Sequence, residues 1–112
     1  MKTFRIFLGV LLLSLITYTS VTISNHGWNL LPIFFGDMAA MTWPGQFNFD
    51  FFGLLLLSGL WTAWRNNFTA KGLSLGVLAV FGGMVFLSIY LLYLSFDTKG
   101  DIAKMMLGER AA

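Results

Sequence analysis

The chain has no cysteine, one histidine and only two prolines in 112 residues. Without thiols it cannot be a disulfide scaffold, a zinc finger, an iron–sulfur protein or a thiol enzyme. A single histidine also rules out bis-histidine haem. Charge is scarce: Asp, Glu, Lys and Arg make up 11% of the residues, against about 25% in an ordinary soluble domain. The net charge of +2 is too small to suggest a nucleic-acid partner. What the chain has instead is apolar bulk, 57% hydrophobic with 12 Phe, 4 Trp and 3 Tyr. That excludes disorder and leaves too little polar surface to coat a small water-soluble sphere. The expectation is a single membrane domain over residues 1–112, solvated by the lipid bilayer.

Three runs approach the roughly 20 apolar residues needed to cross a bilayer core. They are Phe4–Ile23, Phe49–Trp64 and Leu73–Phe96, followed by a mixed-charge tail over 97–112. The expected fold is therefore all-α, an integral membrane helical bundle with three transmembrane helices. Between helices 1 and 2 comes an interfacial or re-entrant loop. The first run also has the basic start (Lys2, Arg5) and apolar middle of a signal peptide. No Ala-x-Ala-like cleavage site follows it, so a retained span is expected. With the N-terminus inside, the inner face holds Lys2, Arg5, Arg65 and Lys71, and the first loop carries no Lys or Arg. The positive-inside rule then sets the N-terminus in the cytoplasm and the C-terminus outside, in the cell's inner membrane. A further inserted element in the first loop would flip the tail.

Tryptophan placement agrees with these ends. Trp28 and Trp43 flank the first loop, and Trp61 and Trp64 close the second run, as anchors at headgroup level. Tyr90 and Tyr93 fill the same role near the end of the third. Small residues mark close helix packing: Gly72, Gly76, Ala79 and Gly83 share one face of the third run, and Gly59 and Ala63 recur four apart in the second. Ser14 and Thr17 place hydroxyls along one face of the first, where each can bond across a helix pair for roughly 0.6 to 2 kcal/mol. These faces either meet within the chain or leave one over for another protein. The second alternative predicts that Gly76→Leu or Gly83→Leu abolishes association while leaving insertion intact.

The first loop is the unusual segment. Its apolar middle, Leu30–Met41, is interrupted by Pro32, Gly36 and Asp37 and is too short to span. Trp43-Pro44-Gly45-Gln46 reads as a turn, after which Asn48 caps the second helix with Asp50 in its first turn. Asp50 is either an anchor favoured by the helix dipole or a proton or ligand site. Asp37 faces water from an interfacial helix. His26, Asp37 and Asp50 fall on one predicted side, where they could form a metal triad or an acid–base pair at a lipid headgroup. Their spacing matches no metal motif, and no metal or cofactor is predicted.

In the tail, Ile102, Met105 and Met106 fall on one side of a short amphipathic helix over 101–107 that needs a surface to order it. The blocks Gly36-Asp37, Trp43-Pro44-Gly45-Gln46-Phe47-Asn48-Phe49-Asp50, Trp64-Arg65, Gly82-Gly83 and Leu107-Gly108-Glu109-Arg110 resemble an uncharacterised family of small bacterial three-span membrane proteins. The resemblance covers most of the chain from the first loop onward and implies no activity. The expected function is that of a non-enzymatic accessory subunit or assembly factor. Its partner would be a larger membrane protein, or the chain itself as a homo-oligomer. The alternatives are a small homo-oligomeric transporter or channel working through Asp50, and a lipid-processing enzyme using His26, Asp37 and Asp50.

Overall fold

The computed structural model describes residues 1–111; Ala112, the last residue of the expected domain and tail, lies outside the described residues. The described chain is all-α, without a strand. It comprises α1 (Lys2–His26), α2 (Leu30–Ala40), α3 (Trp43–Arg65), α4 (Ala70–Asp97), α5 (Ile102–Leu107) and a closing 3₁₀ turn (Gly108–Arg110). Both prolines occupy first turns, Pro32 in α2 and Pro44 in α3, where no backbone donor is lost to the helix. Thr69 starts α4 by accepting from the Gly72 amide at 3.1 Å, and Asp101 does the same for α5 with Lys104.

Two helices, α1 and α4, are long and apolar enough to cross a membrane; the three expected are not reached. At 23 residues α3 is long enough, roughly 35 Å, but Gln46, Asn48 and Asp50 dilute its first half. Trp43-Pro44-Gly45-Gln46 is not a turn. It forms the first turn of α3, and the chain reverses one step earlier at Met41, in the left-handed conformation with φ 56°. A Cβ at Gly45 would collide with the Asp37 carbonyl, so glycine serves close approach between α2 and α3. Asn48 caps nothing; its Nδ2 donates to the Phe34 carbonyl at 3.1 Å and ties α2 to α3. Asp50 consequently lies past the first turn of α3.

The largest departure from expectation is in α4. At Gly83 the backbone leaves helical geometry, with φ 56° and ψ −138°, a region that glycine enters easily because it has no Cβ. Before it, α4 runs antiparallel to α3: Gly72 meets Ala63, Gly76 meets Gly59, and Gly83 reaches Leu55 and Phe51. Beyond it, Met84 and Leu87 pass Leu54 and Ser58, and Tyr90 returns to Trp61, Arg65 and Asn66. The expected span 73–96 is thus a helical hairpin with arms over 70–82 and 84–97. Each arm is roughly 20 Å long, and α4 has the length of a membrane span only as their sum.

Folding back gathers the chain at one end. Arg5 donates from Nε to Ser95 Oγ at 3.0 Å and from a terminal nitrogen to the Ser95 carbonyl at 2.8 Å, fastening α1 to the second arm. A Cβ at Gly100 would lie 3.5 Å from the Met1 side chain, so the start of α1 and the tail are neighbours. The core is there too: Tyr90, Leu94 and Met105 are buried, with Phe4, Trp61 and Leu75 packed against them. The structure therefore places at one end the two termini that the charge count assigns to opposite faces.

Candidate functional site

The most developed polar site is where α5 and the 3₁₀ turn close over the end of α3. Arg65 ends α3 as a clamp. Its Nε donates to the Met105 carbonyl at 2.5 Å, and its terminal nitrogens reach the Lys104 carbonyl at 2.9 Å and the Tyr90 hydroxyl at 3.4 Å. The Lys104 carbonyl also accepts from the Gly108 amide, and the guanidinium presents several donors in a fixed fork that reaches both carbonyls. Asn66 extends the network, donating from Nδ2 to Tyr90 Oη at 2.9 Å and to the Thr62 carbonyl at 2.8 Å. Tyr90 is buried by this contact and stacks on Phe86; it is a core residue, not the interfacial anchor the sequence implies. Tyr93 is exposed.

Three further contacts hold the tail. Trp61 donates from Nε1 to the Met106 carbonyl at 3.0 Å. Arg110 donates to the Trp64 carbonyl and lies over the Trp64 ring, 4.3 Å from its centroid. Asn67 donates from Nδ2 to Glu109 at 3.1 Å. Gly108, with φ 64°, makes the seam possible, because a Cβ there would press on the Arg65 carbonyl at 2.7 Å. Met105 is the apolar plug of this seam, whereas Ile102 remains exposed. The surface that orders the tail is the chain's own.

All seven Lys and Arg lie at this end: Lys2 and Arg5 on the start of α1, Arg65 closing α3, Lys71 opening α4, and Lys99, Lys104 and Arg110 in the tail. Asp97, Asp101 and Glu109 are the acids among them, while Asp37 and Asp50 belong to α2 and the first half of α3. Between the α3–α4 turn and the tail lies a cavity of about 730 Å³, with Arg65, Lys71, Lys99 and Lys104 in its wall beside Asp97 and Glu109.

Of the residues singled out in the sequence, the small ones are brought together. Gly59 and Gly76 face each other so closely that a Cβ on either would reach the other's carbonyl at 2.9 Å, and Ala63 borders Gly72 and Gly76. Ala79 is fully buried, whereas Gly83 is the reversal point and not a packing face. This stripe is used within the chain. Ser14 and Thr17 are exposed and line an open groove on α1 with Tyr18, Thr22 and His26. The polar trio is not assembled. Asp50 borders a shallow cavity with Met38, Met41 and Gln46 in which neither His26 nor Asp37 takes part, and no group of three His, Asp or Glu among the described residues is placed to hold a metal. Trp28 and Trp43 are exposed, as anchors require.

Compared with known protein families, curated proteins and solved structures, the chain matches none. The clamp residues Arg5, Arg65, Asn66 and Tyr90 were missed as site residues in the sequence. Only Arg65 fell in a singled-out block, Trp64-Arg65, and its contact with the tail block Leu107-Gly108-Glu109-Arg110 is encoded by no local spacing.

Proposed function

We propose that the protein is a non-enzymatic accessory subunit of a complex in the cell's inner membrane, docking on a transmembrane helix of a larger partner through α1. The observation that carries this reading is the far half of α1. From Leu13 to His26 it has no buried residue, and its Ser14, Thr17, Tyr18 and Thr22 share one exposed face with Leu13 and Val21. Thr22 donates to the Tyr18 carbonyl of its own helix; facing lipid, the Ser14 and Thr17 hydroxyls offer a second helix bonds worth roughly 0.6 to 2 kcal/mol each. The small-residue faces of α3 and α4 are already occupied by each other, so α1 is the face left over.

In this reading α1 and α3 cross the bilayer, α4 enters as a re-entrant hairpin and returns, and both termini lie in the cytoplasm. The distribution of cations supports it: one end holds all seven, the asymmetry that the positive-inside rule describes. Irregular backbone at membrane depth is tolerated where it is covered by protein, and Gly83 lies against Phe51 and Leu55 of α3. The long dimension of 47 Å matches a bilayer with its headgroups, roughly 40–45 Å.

The test is gentle extraction followed by intact-mass measurement of the protein and every chain that comes with it. A larger membrane protein in fixed ratio is expected, and it should be lost from the Ser14→Leu/Thr17→Leu double variant, whose α1 stays apolar enough to insert. A homo-oligomer without a partner, or a double variant that keeps its partner, would sink the reading.

A further inference from the structure

We infer that the cavity between the α3–α4 turn and the tail is a binding site for the phosphate of an anionic phospholipid headgroup. Lys71 comes from the start of α4, Lys99 from the loop after it and Lys104 from α5, so lysines from three segments line a 730 Å³ cavity. Their charge is poorly answered from within. Glu109 is engaged by Asn67, Asp101 by the Lys104 backbone amide, and Asp97 is the other carboxylate of the wall. Arg65 spends its donors on the tail carbonyls and on Tyr90, and so shapes the cavity floor instead of offering itself to a ligand.

A phosphate answers this arrangement better than a carboxylate does. Its oxygens point in several directions, and each can accept from a different ammonium group. The surroundings favour a lipid over free phosphate as its source. Phe68, about half exposed, protrudes from the same turn, and the Trp64 ring lies under Arg110 beside it, which puts aromatic groups at the depth where headgroups meet acyl chains. Basic pockets between helices at the cytoplasmic face are suited to such headgroups, with each Lys near the surface contributing about 1 kcal/mol. The cavity wall also includes Asn67 and Lys99, both at positive φ, 59° and 55°, a conformation that side chains other than glycine enter at a cost.

This inference rests on the membrane face proposed above, but its test does not depend on which side of the cell that face meets. The full chain is placed in nanodiscs, open on both faces, containing phosphatidylglycerol or phosphatidylcholine, and lipid retained by the released protein is read by native mass spectrometry. Phosphatidylglycerol is expected to be retained selectively. The Lys71→Gln/Lys99→Gln/Lys104→Gln variant should bind it about a hundredfold more weakly, while Lys2→Gln, which alters a cation outside the cavity, should bind normally. The single variant Lys99→Gln, with a weakening of roughly fivefold, covers the case in which the triple variant does not fold. Equal retention of both lipids, or full retention by every lysine variant, overturns the site. Inorganic phosphate binding with phosphatidylglycerol excluded overturns the lipid assignment. If the lipid binds as expected but the protein extracts without a partner, the subunit reading fails and the site stands.

Discussion

The two ends of the molecule are held by different means. At the cationic end, five segments converge: the start of α1, the end of α3, both arms of α4 through their tail-side residues, and α5. There Leu94, Met105 and Tyr90 are buried, and Arg5, Arg65 and Arg110 each tie backbone carbonyls from one segment to another. At the opposite end, neither α2 nor the far half of α1 has a buried residue. One end completes itself with its own polar and apolar contacts; the other leaves its apolar surface for lipid or for a partner. A chain of this size builds one self-sufficient region, and the surface away from it stays uncovered by the chain.

The contrast is broken most severely by enlarging the seam between α3 and the first arm. Gly76→Leu has no room, since even a Cβ there would lie 2.9 Å from the Gly59 carbonyl. It is expected to destabilise the fold by about 3 kcal/mol or more, measured by unfolding in mixed micelles of rising dodecyl sulfate fraction. The sequence reading expects lost association with insertion intact; the structure predicts a damaged fold. Arg65→Ala comes next. Removing a charged donor to two tail carbonyls and a tyrosine hydroxyl costs about 2 kcal/mol at this half-buried site. It should release the tail, read as faster tryptic cleavage after Lys99 and Lys104. Little change in cleavage would mean that Met105 and the Trp61, Asn67 and Arg110 contacts hold the seam without Arg65.

A subtler variant asks what reverses α4. Gly83→Ala introduces a side chain at φ 56°, ψ −138°, with a strain of roughly 1–3 kcal/mol. A straight α4 would relieve that strain and carry the tail to the other face. The absence of native cysteine makes this visible, because Lys99→Cys is then the sole thiol for an impermeant maleimide applied to intact cells. Lys99→Cys alone should remain unlabelled until the cells are opened, and the Gly83→Ala background should expose a fraction from outside. Full labelling without that second change would restore the arrangement with the C-terminus outside.

Much of the fold was legible in the residues. Apolar runs and scarce breakers located α1, the body of α3 and the ends of α4, and the three- and four-residue spacing of Gly59, Ala63, Gly72 and Gly76 marked faces that do meet. The amphipathic pattern of 101–107 anticipated α5. Less was legible where one residue has two uses. Gly83 fits the small-residue stripe by spacing, so its role as the reversal point was hidden. Pro44 and Gly45 suit a turn and also suit the start of a helix that crosses close to another. Tyr90 looked interfacial because the count assumed an unbroken helix.

Composition and pattern alone determined that the chain is helical, that it is apolar enough for a membrane and that it has no thiol chemistry, because these follow from residue type and periodicity. Tertiary structure decided where the charges go. The seven cations gather at one end because the chain reverses at Gly83, where a Cβ would lie 3.4 Å from Phe51 and Leu55, residues far away in sequence. Local propensity sets helices, while the pairing of distant surfaces sets direction, and in this protein direction places the clamp, the cavity and the free face of α1.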